Sequence, residues 1–378
     1  MQSNERIEAK SHVVHRWQAP SHIFVVIRNL THLRVAYDDE FASAVMRVLR
    51  FRAHAWGGSV SIVADESFLL HVGQGFSADQ VAAQQELERW LLILMGEAIE
   101  HEGVSIIPVL SVGFIQVNEF GLPTPSDINQ LAAMPEVPQA QIQHTTAWRL
   151  AYDRDMCLAD NFYRQMSRGH YALAFQPVVS VRDRRKVFYH EGLLRSVGEP
   201  LLGENPFAPR LIEALERLGL MRHLDRSIVL TVIEALRNNP SLQFGCNVSA
   251  QSAVLDVWWN TILKILASEP SIAARLTIEI TESASLPDTN AAVEFVHQLR
   301  GFGCRVAIDD FGSGFSTLDF IYRAKPDIVK IDQSFLERAR TNGTGSDVLT
   351  HLVRLCATLA PHVVVEGVEN RLDMTLVF

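Results

Sequence analysis

Seven short apolar runs recur through the C-terminal half of the chain, at Ala172–Val179, Val187–Leu194, Gln243–Val248, Leu276–Ile280, Arg305–Ile308, Ile328–Ile331 and His362–Val365. Helical patterns at 207–218, 221–237, 288–300 and 345–359 fall between several of them. Strands recurring with helices between them predict βα units around a parallel sheet. Seven strands are one short of a (β/α)8 barrel, so the fold class expected is α/β, a TIM-like barrel one strand short of closure.

Most of these runs end on an acid or an amide. Glu191 follows Val187-Phe-Tyr-His, Asn247 follows Phe244-Gly-Cys, and Glu279 lies within Thr277-Ile-Glu-Ile. Asp309 and Asp310 follow Val306-Ala-Ile, Asp332 follows Ile328-Val-Lys-Ile, and Glu366 follows Val363-Val-Val. A single acid after an apolar run is most often a helix cap or a loop residue. Six such endings in one barrel-like block are harder to attribute to capping. Parallel barrel strands present their C-terminal ends on one face, so these acids are expected to converge there. Unpaired, such a cluster is repulsive and costly to desolvate. A divalent cation is the natural counter-charge, and oxygen ligands favour Mg²⁺ or Mn²⁺. The adjacent acids Asp309 and Asp310 suit a two-metal site, with one carboxylate bridging both ions. Lys330 supplies a fixed positive charge beside them, and Arg195 can pair with a phosphate bidentately.

Residues 23–116 follow another rhythm. Ile23–Ile27 reads as a strand and Phe41–Leu49 as an amphipathic helix. Ser59–Ala64 and Phe68–Val72 read as a hairpin around Asp65-Glu66-Ser67, Ser77–Ile99 as a long helix opened by Ser77 and Asp79, and Val104–Val117 as a strand. The order β-α-β-β-α-β predicts a ferredoxin-like α+β unit. Residues 118–147, with Gly121-Leu-Pro-Thr-Pro, Pro135 and Pro138, read as a turn-rich linker. A helix from about Ala147 to Arg168 leads into the second block. The expected domains are 1–122, a linker and connecting helix over 123–155, and 156–378.

Composition narrows the function classes. The 34 basic against 43 acidic residues give a net charge of −9, which argues against a DNA or RNA polymer as partner. No apolar stretch approaches the roughly 20 residues that span a bilayer, and the start Met1-Gln-Ser-Asn-Glu-Arg lacks the apolar core of a signal peptide. The four cysteines show no CxxC pair and read as free thiols in a reducing compartment. A cytoplasmic protein without membrane insertion is expected. Gly312-Ser-Gly314 lacks the GxxxxGK[ST] pattern of a phosphate loop and reads as a loop over the site.

Taken in order, these segments resemble the EAL domain, the bacterial cyclic di-GMP phosphodiesterase. The resemblance is carried by Phe175-Gln-Pro-Val-Val, Glu191-Gly-Leu-Leu-Arg, Asn247-Val-Ser, Thr277-Ile-Glu-Ile-Thr-Glu-Ser, Ile308-Asp-Asp-Phe-Gly-Ser-Gly-Phe-Ser-Thr-Leu, Val329-Lys-Ile-Asp and Val365-Glu-Gly-Val-Glu. The resemblance implies that Glu191, Asn247, Glu279 and Asp309 hold a first metal ion and that Asp309, Asp310 and Glu366 serve a second. It implies that Lys330 contacts the hydrolytic water, which with Glu191 and Glu366 makes up the catalytic set. Gln176, Leu193, Arg195 and Asp332 would line the dinucleotide, and Glu282 would brace the loop carrying Phe311–Ser316. The implied reaction is metal-assisted hydrolysis of cyclic di-GMP to linear pGpG; the alternative is a weak or inactive cyclic di-GMP receptor. The signature triplet has Gly192 in place of alanine. After Glu369 only Asn370–Phe378 remain, where the family continues through a helix and an eighth strand bearing Gln-Gly-Tyr.

The N-terminal block resembles a degenerate GGDEF (diguanylate cyclase) domain. Val63-Ala-Asp-Glu-Ser67 takes the place of the signature hairpin, and Leu110-Ser-Val-Gly-Phe that of a late strand. The signature glycines are lost, and Arg28 stands where the first metal-binding aspartate would sit. An arginine holds no Mg²⁺, so no cyclase activity is expected. A homodimer is expected.

Overall fold

The structure, a computed structural model, describes residues 20–73, 75–117, 137–197, 209–281, 286–312, 317–341 and 343–377. Its N-terminal unit contains β1 (His22–Ile27), β2 (Gly58–Ala64), β3 (Ser67–Val72), β4 (Ile99–His101), β5 (Val104–Ile106) and β6 (Leu110–Ile115). Four of these form an antiparallel sheet in the order β2-β3-β1-β6, the ferredoxin-like arrangement. Helices Leu30–Ala36, Asp39–Ala55 and Gln80–Met95 accompany it.

Local chemistry sets the boundaries. Asp38 accepts the Phe41 N–H at 2.7 Å and so starts the second helix earlier than its apolar pattern suggested. The helix expected over Ser77–Ile99 is shorter at both ends. Asp79 caps it by accepting the Ala82 N–H, and Gly96, at φ +45°, stops it. The strand expected over Val104–Val117 is broken into β5 and β6 around Pro108, which has no N–H to give a ladder. β4 and β5 close a small hairpin through Glu102 and Gly103, both at positive φ.

The second unit is one curled seven-stranded sheet in sequential order: β7 (Tyr171–Val179), β8 (Val187–Ser196), β9 (Phe244–Ser249), β10 (Leu276–Thr281), β11 (Arg305–Phe311), β12 (Ile328–Ile331) and β13 (His362–Val365). From β8 to β13 the strands are parallel. The expectation of a wholly parallel set fails at β7, which runs antiparallel to β8. Only Ser180–Lys186 joins the two, fewer than the dozen or so residues a parallel crossover needs. Helices Pro209–Leu218, Met221–Asn238, Thr289–Gly301 and Gly343–Leu359 lie where the periodicity placed them. Shorter ones at Asn260–Ser268, Leu318–Ala324, Gln333–Thr341 and Arg371–Leu376 add to the shell. Among the described residues β7 and β13 are the two edges of the sheet. No helix there is long and apolar enough to cross a membrane. Cys246, Cys304 and Cys356 are buried and Cys157 is exposed, and none of the four is in a disulfide.

Helix Thr146–Ser167, capped by Thr145, ties the units together by burying Tyr152, Met156, Ala159 and Phe162. Of the expected linker, residues 118–136 lie outside the described residues. Residues 137–140 are docked rather than loose: the Ala140 N–H donates to Arg217 O at 2.8 Å, and Gln139 Nε2 donates to Arg28 O at 3.1 Å. Gly219, at φ +74°, lets this segment approach, since a Cβ there would lie 2.6 Å from Val137 Cγ1.

One buried ion pair clamps the units. Glu88, on Gln80–Met95, has its side chain only 3% exposed. It accepts from Arg226 Nε at 2.7 Å, and from the Thr261 N–H and Oγ1 at 2.9 and 2.6 Å. Removing the carboxylate strands a largely buried guanidinium, which costs about 3 kcal/mol. Glu88→Ala is expected to lower Tm by roughly 5–10 °C, while the more exposed neighbour Glu86→Ala leaves it nearly unchanged. Differential scanning calorimetry on both variants checks this, and equal shifts would contradict it.

Candidate active site

Five of the six strand endings bring their acids or amide together, while Asp332, after β12, lies outside both acidic groups. Glu191 lies on β8, Asn247 on β9, Glu279 on β10, Asp309 and Asp310 on β11, and Glu366 directly after β13. Asn247 and Glu279 are register partners across the β9–β10 ladder. Asn247 Nδ2 donates to Glu191 Oε1 at 2.9 Å. Carboxylate oxygens of Glu191, Glu279 and Asp309 lie within 4.8 Å of one another, as do those of Asp309, Asp310 and Glu366. The two groups share Asp309.

On a regular strand Asp309 and Asp310 would face opposite sides of the sheet. The β11–β12 register shifts between Ile308 and Phe311, and Asp310 adopts φ +53°. This bulge turns both carboxylates toward the same face, at the expense of a left-handed conformation that is unfavourable for a residue with a Cβ. The Asp310 N–H donates to Asp309 Oδ1 at 2.9 Å, which holds the bulge closed.

Lys330, on β12, is at the centre. Its Nζ lies 2.8 Å from Glu279, 2.8 Å from Glu366, 2.9 Å from Asp309 and 3.2 Å from Glu191, with the side chain only 1% exposed. Burial alone would push the ammonium's pKa down, but the four carboxylates outweigh it and hold the proton far above the ordinary lysine range. One ammonium does not balance so many acids. Burial, with neighbouring carboxylates adding to it, pushes Glu279 up to about 8, Glu366 up to about 7 and Asp310 up to about 6, and Asp309 also moves up.

Two residues absent from the sequence reading support this cluster. Tyr189, fully buried, donates its hydroxyl to Glu279 Oε2 at 3.1 Å. It lies two residues before Glu191 and so shares its face of β8, the signal that could have found it. Gly245 provides the space: a Cβ there would come 2.5 Å from Glu279 Oε1 and 2.7 Å from the Tyr189 ring. Gly192 is tight as well, with the Gly245 carbonyl 3.1 Å from where its Cβ would be.

The expected substrate-lining residues surround this cluster more loosely. Leu193 and Arg195 follow Glu191 at two-residue steps along the same face of β8, Leu193 half-buried and Arg195 exposed. Gln176 is exposed on β7 opposite Glu191. Asp332 accepts the Ser334 N–H at 3.1 Å, and its charge helps push Asp310 up. Glu282 and loop residues 313–316 lie outside the described residues.

The oxygen-rich set fits a metal ion on the structure's own terms. Asn247 Oδ1 and Glu279 Oε1 are buried acceptors without a hydrogen-bond partner. Carboxylates and an amide oxygen are the donors that hard divalent ions take.

Comparison with known proteins gives this geometry a family. The EAL domain pattern matches residues 159–377, and the chain belongs to the EAL domain family. The cyclic di-GMP phosphodiesterase PdeF of Escherichia coli is 27% identical over 221 residues, covering 57% of this chain and 29% of that protein. The probable cyclic di-GMP phosphodiesterase PdeN of the same organism is 32% identical over 210 residues, covering 54% of this chain and 40% of that protein. The chain thus spans well under half the length of these curated relatives. The S helix-GGDEF-EAL structure of Vibrio cholerae LapD, bound to c-di-GMP, covers 95% of this chain and 86% of its own at a TM-score of 0.52 and 16% identity. That likeness extends the shared fold to the N-terminal unit.

The raised acids give the metal-free protein a definite pH response. Glu279, Glu366 and Asp310 hold protons in the fold well above the ordinary carboxyl values of 4.5 and 3.8 at which the unfolded chain releases them. Unfolding in that window therefore releases protons, so stability falls as pH rises, with the loss continuing to about pH 8. Tm in excess EDTA is expected to drop between about pH 6 and about pH 8.5, and Glu279→Gln is expected to flatten that slope. A Tm that rises across this range would contradict the assignment.

Proposed function

We propose that this protein hydrolyses one phosphodiester of cyclic di-GMP to give linear pGpG. The observation that carries the reading is the pair of overlapping oxygen-donor groups sharing Asp309, gathered around a buried ammonium at the C-terminal ends of barrel strands. The family match and the phosphodiesterase relatives support the same substrate class.

In this reading Glu191, Asn247, Glu279 and Asp309 hold one divalent ion, and Asp309, Asp310 and Glu366 hold the other. Mg²⁺ or Mn²⁺, when bound, supplies charge neutralisation of the phosphodiester and acidification of water. The protein's own residues do the rest. Tyr189 and Gly245 hold Glu279 in place, and the Asp310 bulge aims both aspartates at the same space. The Lys330 ammonium donates a hydrogen bond to the attacking water. As water adds to phosphorus, the bond from phosphorus to the 3′ oxygen breaks, and that oxygen leaves with a proton. Arg195, above Glu191 on the open face, pairs with a phosphate, while Gln176, Leu193 and Asp332 line the rest of the dinucleotide.

The N-terminal unit is regulatory in this reading, without cyclase activity: Arg28 stands at the metal-binding position and donates to Ser111 Oγ at 2.9 Å. A homodimer belongs to the same proposal. Leu318 and Tyr322, one turn apart on Leu318–Ala324, are 51% and 72% exposed and offer an apolar contact beside the site. Light scattering reads the mass directly.

A second reading is a receptor that binds the dinucleotide without hydrolysing it. It is favoured by the two-unit LapD structure bound to c-di-GMP. Purified protein with Mn²⁺ and cyclic di-GMP is expected to produce pGpG. EDTA is expected to abolish turnover, and Glu191→Ala to lower kcat by about 10³-fold, the loss of several kcal/mol of transition-state stabilisation. Binding by calorimetry without turnover would move the assignment to the receptor. Neither binding nor turnover by folded protein would end both readings.

A further inference from the structure

We propose that Arg340 and Asp373 are positioning residues for Glu366: their ion pair clasps the turn after β13 and so holds the Glu366 carboxylate beside Asp309 and Asp310. The inference rests on the metal-centre reading above and concerns the one acid of that centre that strand pairing holds least.

Glu366 needs a support that the other acids do not. Glu191, Glu279 and Asp309 lie within β8, β10 and β11, each flanked by a strand on both sides. Glu366 instead follows β13, a four-residue strand that is an edge of the sheet among the described residues. Its N–H donates to Ile331 O at 3.1 Å, which extends the pairing with β12 by one bond. Its side chain, at 26%, is the most exposed of the four acids around Lys330.

Helix Gln333–Thr341, which follows β12, grips the turn beyond Glu366. Gly367, at φ +72°, brings the chain so close that a Cβ there would lie 2.8 Å from Gln333 Cβ. Seven residues further, two turns along the same face of that helix, Arg340 Nη2 donates to Gly367 O at 2.7 Å. The same guanidinium forks onto Asp373, Nε to Oδ1 and Nη2 to Oδ2, both at 2.8 Å. Asp373, its side chain only 1% exposed, reaches back to the turn. Its Oδ2 accepts the N–H of Glu369 at 2.9 Å and of Asn370 at 3.1 Å. The clasp therefore takes hold of Gly367, Glu369 and Asn370, all within four residues of Glu366. The Arg340 guanidinium, with those two N–H groups, holds the Asp373 carboxyl down to about 2. The ion pair thus persists across the range in which Glu279, Glu366 and Asp310 titrate.

The test is calorimetric titration of Mn²⁺ into metal-free wild type, Arg340→Met, Asp373→Asn and Glu366→Gln. The binding event that Glu366→Gln weakens identifies the ion held through Glu366. Arg340→Met and Asp373→Asn are expected to weaken that event about 10-fold, the loss that follows when a ligand's outer support is removed, and to leave the other event unchanged. Added to Glu366→Gln, Arg340→Met is expected to cost nothing further, because the ligand it positions is gone. Glu369→Ala removes an exposed charge 3.7 Å from Arg340 but keeps the backbone bonds of the clasp, and is expected to bind Mn²⁺ as wild type does. Should Arg340→Met fail to fold, Arg340→Lys keeps the charge without the fork and is expected to show the same selective loss, about 3-fold or more. Equal losses at both events, or a loss that persists beside Glu366→Gln, mark a general structural role and overturn the inference. Unchanged affinity in folded variants does the same, and in each case the metal centre stands. Absence of Mn²⁺ binding by wild type overturns the metal centre itself, and the inference with it.

Discussion

The contact between the Lys330 ammonium and its ring of carboxylates is the constraint on which the second unit turns. Four acids from four separate segments are brought within reach of one side chain that is almost wholly buried. Bringing so many like charges out of water is unfavourable unless an opposite charge stands among them. One ammonium meets part of that demand, and the upward movement of Glu279, Glu366 and Asp310 shows the remainder. A fold that accepts this imbalance gathers two overlapping sets of oxygen donors that could hold a cation.

Backbone devices make the convergence possible. A parallel sheet aligns strand ends, but it gives each strand only alternate residues on the inner face. The bulge at Asp310 overrides that alternation and adds an acid next to Asp309. Gly245 does the opposite on β9, removing a side chain so that Glu279 and Tyr189 can occupy its place. One device adds a ligand and the other clears space for its neighbour. Both are local departures from regular strand structure at the functional face, where such strain is concentrated.

What was legible in the sequence follows from this. The strands of the barrel, and the acids ending them, could be read because each acid directly follows an apolar run, a purely local signal. Seven recurrent runs placed β7 to β13 within a few residues. The antiparallel β7 was misread because run composition carries no direction, although the short Ser180–Lys186 connection did. Helices such as Leu318–Ala324 are too short to establish a period. Tyr189 looked like one more apolar position, and its bond to Glu279 joins residues ninety apart in sequence. Glu88 carries no local signal of its burial in the sequence. Its burial depends on Arg226 and Thr261, which no local pattern links to it.

The clamp between the units and the site meet on one helix. Met221–Asn238 carries Arg226 to Glu88 of the N-terminal unit, and the residue before it, Asp225, to the loop beyond β9. Asp225 is buried, which pushes its carboxyl up to about 7, and it accepts from the Ser249 N–H at 3.0 Å and Ser252 Oγ at 2.6 Å. Ser249 lies two residues after Asn247 on the same strand. Adjacent side chains of one helical turn therefore hold the neighbouring unit and the end of a strand bearing an expected metal ligand. A shift of that turn large enough to release Glu88 would also strain the bonds of Asp225, because a close-packed helix moves as a body rather than residue by residue. The N-terminal unit is thus built against a helix that also braces the end of β9, so a movement of the one is felt at the other.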